Sequence, residues 1–140
     1  MQTNSLIDAN PVFSTTRSTA IFLFIAGILL LAIGAAILLI PHAFHASNGI
    51  VLGSDPSLLS EIRAPGGLLL GSALIIIAGA FRPALRSSAV DLTILVYGTF
   101  GLARLVGFVI DGIPGSGIVA AAILELVVAG IGLLFFKQQS

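Results

Sequence analysis

From Ser18 to Ile40 the chain runs without one charged side chain, and almost every residue is apolar. A bilayer core about 30 Å thick needs roughly 20 helical residues to cross it. The run therefore reads as a membrane-spanning helix. A cleaved signal peptide is the competing reading, but its apolar region would be about 7–15 residues long. This run is longer, and Phe44-His45-Ala46 is a poor cleavage site. Composition extends the conclusion to the whole chain. Of its 140 residues 57% are apolar and only 9% charged, against about a quarter charged in soluble domains. So few charges could not cover a water-soluble protein, so lipid is the solvent for most of it.

The breaks between apolar runs set the organisation. Residues 1–17 are polar and read as a cytoplasmic tail ending at Arg17. Pro41 stops the first span, and residues 41–60 form the longest polar connection. Ser54-Asp55-Pro56 marks a helix start, an oxygen cap before a proline at the first helical position. Pro65 has no amide proton for the Glu61 carbonyl, which predicts a kink or break before the second span. Arg82-Pro83-Ala84-Leu85-Arg86 is a basic turn, and Ser88 with Asp91 has capping-box spacing. Asp111-Gly112-Ile113-Pro114-Gly115 is a tight turn. The expected spans are 18–40, 62–81, 89–110 and 117–136, within a membrane domain of 18–137. The fold class is an all-α, four-helix transmembrane bundle. With both termini inside, Arg17, Arg82, Arg86 and Lys137 face the cytoplasm and only Arg63 lies near the outer end. The positive-inside rule favours that arrangement, in the inner (cytoplasmic) membrane.

Several function classes drop out. Formal charge is balanced and suggests no nucleic-acid partner. The absence of cysteine excludes disulfides, thiol catalysis and iron–sulfur ligation. No metal or cofactor is expected. His42 and His45 would share a helical face, but no third ligand lies nearby. Tryptophan is absent, so Phe13, Phe22, Phe44, Phe81, Phe135 and Phe136 stand in near the predicted helix ends.

Five charges remain at or inside the spans: Glu61, Arg63, Arg104, Asp111 and Glu125. A charge at mid-bilayer costs about 2.5–3.5 kcal/mol, and such residues usually face a bundle interior and pair. Tyr97, Gly101, Arg104, Phe108 and Asp111 form one stripe on the third span. Ile118, Ala121, Ala122, Glu125, Ala129 and Gly132 form a mostly small face on the fourth. Arg104 and Glu125 are equally far from the turn centred on Pro114 and Gly115. An antiparallel hairpin puts them at one depth and predicts a pair. Glu61 and Arg63 enter from the outer end of the second span, and with Asp111 they complete an expected polar cluster in the outer half. Three acids against two bases would leave one carboxyl unmatched. Tyr97 and Gly67 are candidate lining residues. The same charges read structurally as a clasp that fixes helix register. Gly67 and Gly71 have GxxxG spacing, read as close packing within the bundle.

Three segments, Ser60-Glu61-Ile62-Arg63-Ala64-Pro65-Gly66-Gly67, Leu102-Ala103-Arg104-Leu105 leading to Asp111-Gly112-Ile113-Pro114, and Leu124-Glu125-Leu126, occur in this order. Together they resemble the small bacterial membrane proteins grouped as domain of unknown function 4345, over roughly residues 20–136. That family looks related to the DoxX-like group, which would imply a compact four-helix bundle and implies no reaction. The preferred reading is a non-enzymatic membrane protein whose partners are the bilayer, a lipid or small amphiphile, or another membrane protein. The alternatives are a small membrane enzyme on a lipid or isoprenoid-like substrate, with Glu125 or Glu61 as acid/base and Arg104 holding an anionic or carbonyl group, or a proton-coupled transporter.

Overall fold

The computed structural model describes residues 11–139, with side chains from Thr16 to Gln138. The helices are α1 (Pro11–Leu39), α2 (Pro41–Ala46), α3 (Pro56–Phe81), α4 (Arg86–Ile110) and α5 (Ser116–Gln139), with a 3-10 turn at Pro83–Leu85. Four of them are 24 to 29 residues long. At 1.5 Å per residue each exceeds the roughly 30 Å of a bilayer core. The protein is a small multi-pass membrane protein built as a four-helix bundle. One end carries both ends of the described chain; the other carries α2 and the α4–α5 turn. They are called here the terminal end and the loop end.

Local chemistry explains most boundaries. Asp55 caps α3, its Oδ1 accepting from Leu58 N at 2.9 Å, and Pro56 takes the first helical position. The expected break at Pro65 is absent: α3 runs unbroken from Pro56 to Phe81. The carbonyl that Pro65 leaves without a donor belongs to exposed Glu61, where polar surroundings can satisfy it. Residues 1–10 of the expected tail lie outside the described residues, and Pro11–Arg17 begin α1. The third span also starts earlier than expected. Ser88 and Asp91 lie inside α4, so they form no capping box. The N-cap is Leu85, without a side-chain bond. Arg86 turns back instead, donating from Nη2 to Ala80 O at 3.2 Å and from Nε to Gly79 O at 3.4 Å. It covers the last carbonyls of α3, which lack helical partners.

The helices pack as two tight pairs, α1 with α3 and α4 with α5, joined where α3 meets α4. The first pair closes at Gly34 and Gly66. A Cβ on Gly34 would stand 2.7 Å from Leu70 N, and one on Gly66 would stand 2.9 Å from Leu38 N. The second closes at Gly101, where a Cβ would stand 2.8 Å from the Leu126 side chain. Gly67 and Gly71 do not serve this purpose: a Cβ on either meets nothing within 4 Å. Their face of α3 points out of the bundle, opposite the buried face of Gly66, Leu69, Ala73 and Ile76.

The core runs between the pairs, through Leu23, Ala26 and Leu30 of α1, Ala73 and Ile76 of α3, and Val90, Val96 and Tyr97 of α4. Thr93 is fully buried and satisfied by its bond to Ala89 O at 2.7 Å. Tyr97 ties α4 to α1 by donating to Ala26 O at 2.6 Å. Among the described residues the backbones of α1 and α5 do not approach each other closely. The two helices are bridged at the terminal end, where the Phe22 and Phe135 rings lie 5.2 Å apart.

Candidate functional site

The α4–α5 hairpin turns through Asp111 and Gly112, whose φ of 96° suits a residue without a Cβ. Going down from that turn, Arg104 lies six residues below Ile110 and Glu125 nine residues beyond Ser116, about 9 and 13 Å at 1.5 Å per residue. The small residues Gly101 and Ala122 let the two helices approach there. Arg104 Nε donates to Glu125 Oε2 at 2.9 Å. This pairing is the one that the turn arithmetic predicts, and it is the one ion pair among the described residues.

The pair forms part of a cavity wall. The cavity has a volume of about 60 Å³. Leu30, Ile33 and Ile37 of α1 and Leu69 of α3 line one side, and Val96, Tyr97 and Phe100 of α4 with Ala121 and Leu124 of α5 line the other. Phe44 of α2 covers the loop end. The Glu125 side chain is 11% exposed and that of Arg104 32%. Glu125 thus faces inward while Arg104 spans from the cavity to the surroundings of the bundle. A guanidinium carries five N–H donors, and only the Nε–H is spent on a partner among the described residues. No buried side-chain polar atom in the described residues lacks a hydrogen bond. The unspent Nη donors therefore face open space.

The structure does not bring the other three charges into this site. Glu61, Arg63 and Asp111 are exposed, and none joins an ion pair among the described residues. The expected five-residue buried cluster is reduced to two. The cause is rotation about the helix axis rather than depth. At the level of Glu61 and Arg63 the inward positions of α3 are Ile62 and Gly66, so the two charges project sideways. Arg63 instead borders an open surface groove with Ser60, Ala64 and Gly67, and Gly67 lines that groove rather than the cavity. Asp111 caps the end of α4. No unmatched buried carboxyl exists among the described residues, so the charge imbalance points to nothing. Tyr97 does line the cavity. His42 Nε2 lies 3.3 Å from Gly53 O and His45 Nδ1 lies 2.9 Å from Pro41 O, so each ring organises its own loop.

Sequence reasoning missed the apolar walls and Phe44. An isoleucine beside a cavity has the same sequence signature as one facing lipid. The available signal for Phe44 was Pro41, which ends α1 and starts α2 over the bundle. Neither the curated proteins nor the solved structures contain a match to this chain. A family model does match, from residue 18 to residue 136, and spans every helix that positions the cavity. The chain belongs to the family described as domain of unknown function (DUF4345).

Proposed function

We propose that this protein binds part of a membrane-dissolved amphiphile at the Arg104–Glu125 pair. The observation that carries the reading is that the pair lines a cavity and leaves the guanidinium's Nη donors unspent. A clasp serving structure alone needs no such space. The cavity volume of about 60 Å³ is well below the about 300–1,000 Å³ of sites that enclose a whole drug-sized ligand. It accommodates one end of a molecule whose remainder stays in lipid. In the orientation favoured by the basic residues, the site lies in the outer half of the membrane. Mass spectrometry of what co-purifies from native membranes tests this. The wild type retains an amphiphile that Glu125→Gln loses, and identical lipid content in both would count against the reading.

A second reading, contact with another membrane protein, is supported by the outward face of α3. Ser60, Ala64, Gly67 and Gly71 line that face at helical spacing, with Glu61 on one flank and Arg63 on the other. In a symmetric parallel pair of such helices, Glu61 of each copy lies beside Arg63 of the other. A cysteine introduced at Gly71 then cross-links into dimers while one at exposed Leu133 does not. Equal cross-linking at both positions removes this reading.

A further inference from the structure

We infer that the cavity is reached sideways from the bilayer, between α1 and α5, and that it takes an uncharged polar head, a hydroxyl or carbonyl, carried on a long apolar tail. This rests on the amphiphile-binding reading above. The route follows from what closes each side. At the loop end Phe44 covers the cavity. The segment after α2 presses on the start of α5, where a Cβ on Gly117 would stand 2.8 Å from Asn48 Oδ1. Toward the terminal end, Tyr97 is bonded to Ala26 O, and below it Phe22 stacks with Phe135. The tight pairs α1/α3 and α4/α5 close two more sides, and α3 against α4 closes the back. At the seam between α1 and α5 the two backbones do not approach closely among the described residues, so only side chains stand between the cavity and the lipid. The seam is flanked by half-buried Ile37 and exposed Leu124, both of which line the cavity. Those apolar flanks suit hydrocarbon, not water.

The head chemistry follows from charge. Arg104 and Glu125 already neutralise each other at 2.9 Å. A carboxylate or phosphate head would compete with Glu125 for the one guanidinium and leave an anion without a counterion in a low-dielectric site. A hydroxyl can accept from Arg104 Nη and donate to Glu125; a carbonyl can accept from Arg104. Neither adds charge. Size agrees: about 60 Å³ is the share of roughly two water molecules, enough for a head and its first carbons. The tail then lies along the seam.

The test uses the full chain in lipid nanodiscs and two probes with the same diazirine-bearing C16 tail, one a primary alcohol and the other its phosphate monoester. Peptide mass spectrometry reads where each attaches. The alcohol should label the segments around Ile37 and Leu124 about tenfold more than the phosphate does. Ala121→Leu, which fills the cavity, should remove that excess and leave labelling of the outward face of α3 near Leu68 unchanged. Ile33→Phe fills the cavity from the opposite wall and repeats the test should Ala121→Leu fail to fold. Equal or stronger labelling by the phosphate overturns the uncharged-head assignment alone. Alcohol labelling that survives both substitutions overturns the cavity as its site. Labelling of the seam no stronger than that of the α3 face by either probe overturns the amphiphile reading itself.

Discussion

The Arg104–Glu125 pair and the Tyr97–Ala26 bond join helices by different physics, and their magnitudes separate them. Interhelical hydrogen bonds between neutral groups in membranes contribute about 0.6 kcal/mol on average and up to about 1.7. Tyr97→Phe should therefore lower stability by about 0.6 kcal/mol, read from unfolding in mixed SDS micelles. Removing one member of a fully buried ion pair costs about 3–5 kcal/mol. Arg104 is a third exposed and can extend toward the polar boundary, so the cost is reduced. We expect about 2 kcal/mol for Glu125→Ala, and a double mutant with Arg104→Ala that is less destabilised than the sum of the single changes. Additive single costs would show that the two groups do not interact in the membrane.

At the scale of helices, glycines decide which faces meet. Gly34 and Gly71 are both helical, and alanine in a helix is favoured over glycine by about 0.8–1.0 kcal/mol. At Gly71 a methyl meets nothing within 4 Å, so Gly71→Ala should stabilise the protein by about half to one kcal/mol. At Gly34 the same methyl would press on the Leu70 amide and the Gly66 carbonyl. Backbone of that kind does not yield easily, so Gly34→Ala should destabilise by about 1–3 kcal/mol. The opposite signs are read in one unfolding series. This contrast also marks what was legible. Apolar runs and Pro56, Pro83 and Pro114 reveal the helices and turns because length and donor chemistry act locally. Adjacent Gly66 and Gly67 cannot be told apart in that way, because the choice depends on where Gly34 of another helix lies. The same holds for the charges. Depth follows from counting residues, which brings Arg104 to Glu125 across the turn. Rotation about the axis does not, so counting puts Glu61 and Arg63 at the loop end without showing that they face away from the cavity.

For the molecule as a whole, asymmetry between the two ends is the main physical fact. Arg17, Arg82, Arg86 and Lys137 gather at the terminal end, while Arg63 stands at the loop end. If the positive-inside rule governs insertion, a cysteine at Gly53 reacts with a membrane-impermeant maleimide on intact cells. One at Ala84 reacts only after permeabilisation. The reverse pattern would invert the orientation and move the cavity to the inner half. Either way the bundle is held together firmly by pairs and loosely around its circumference.

That pairwise construction has a bearing on how the protein is made. The two tight interfaces join helices that are consecutive membrane spans in the chain, α1 with α3 and α4 with α5. During synthesis each pair can be completed before the next begins, and the 3-10 turn at Pro83–Leu85 is the joint between them. Separately expressed fragments 1–82 and 83–140 should thus insert as self-sufficient hairpins and reassemble in one membrane, recovered together by affinity capture of either. A cut in the Asp111–Gly115 turn would strand α5 without its partner, and that pair of fragments should reassemble poorly.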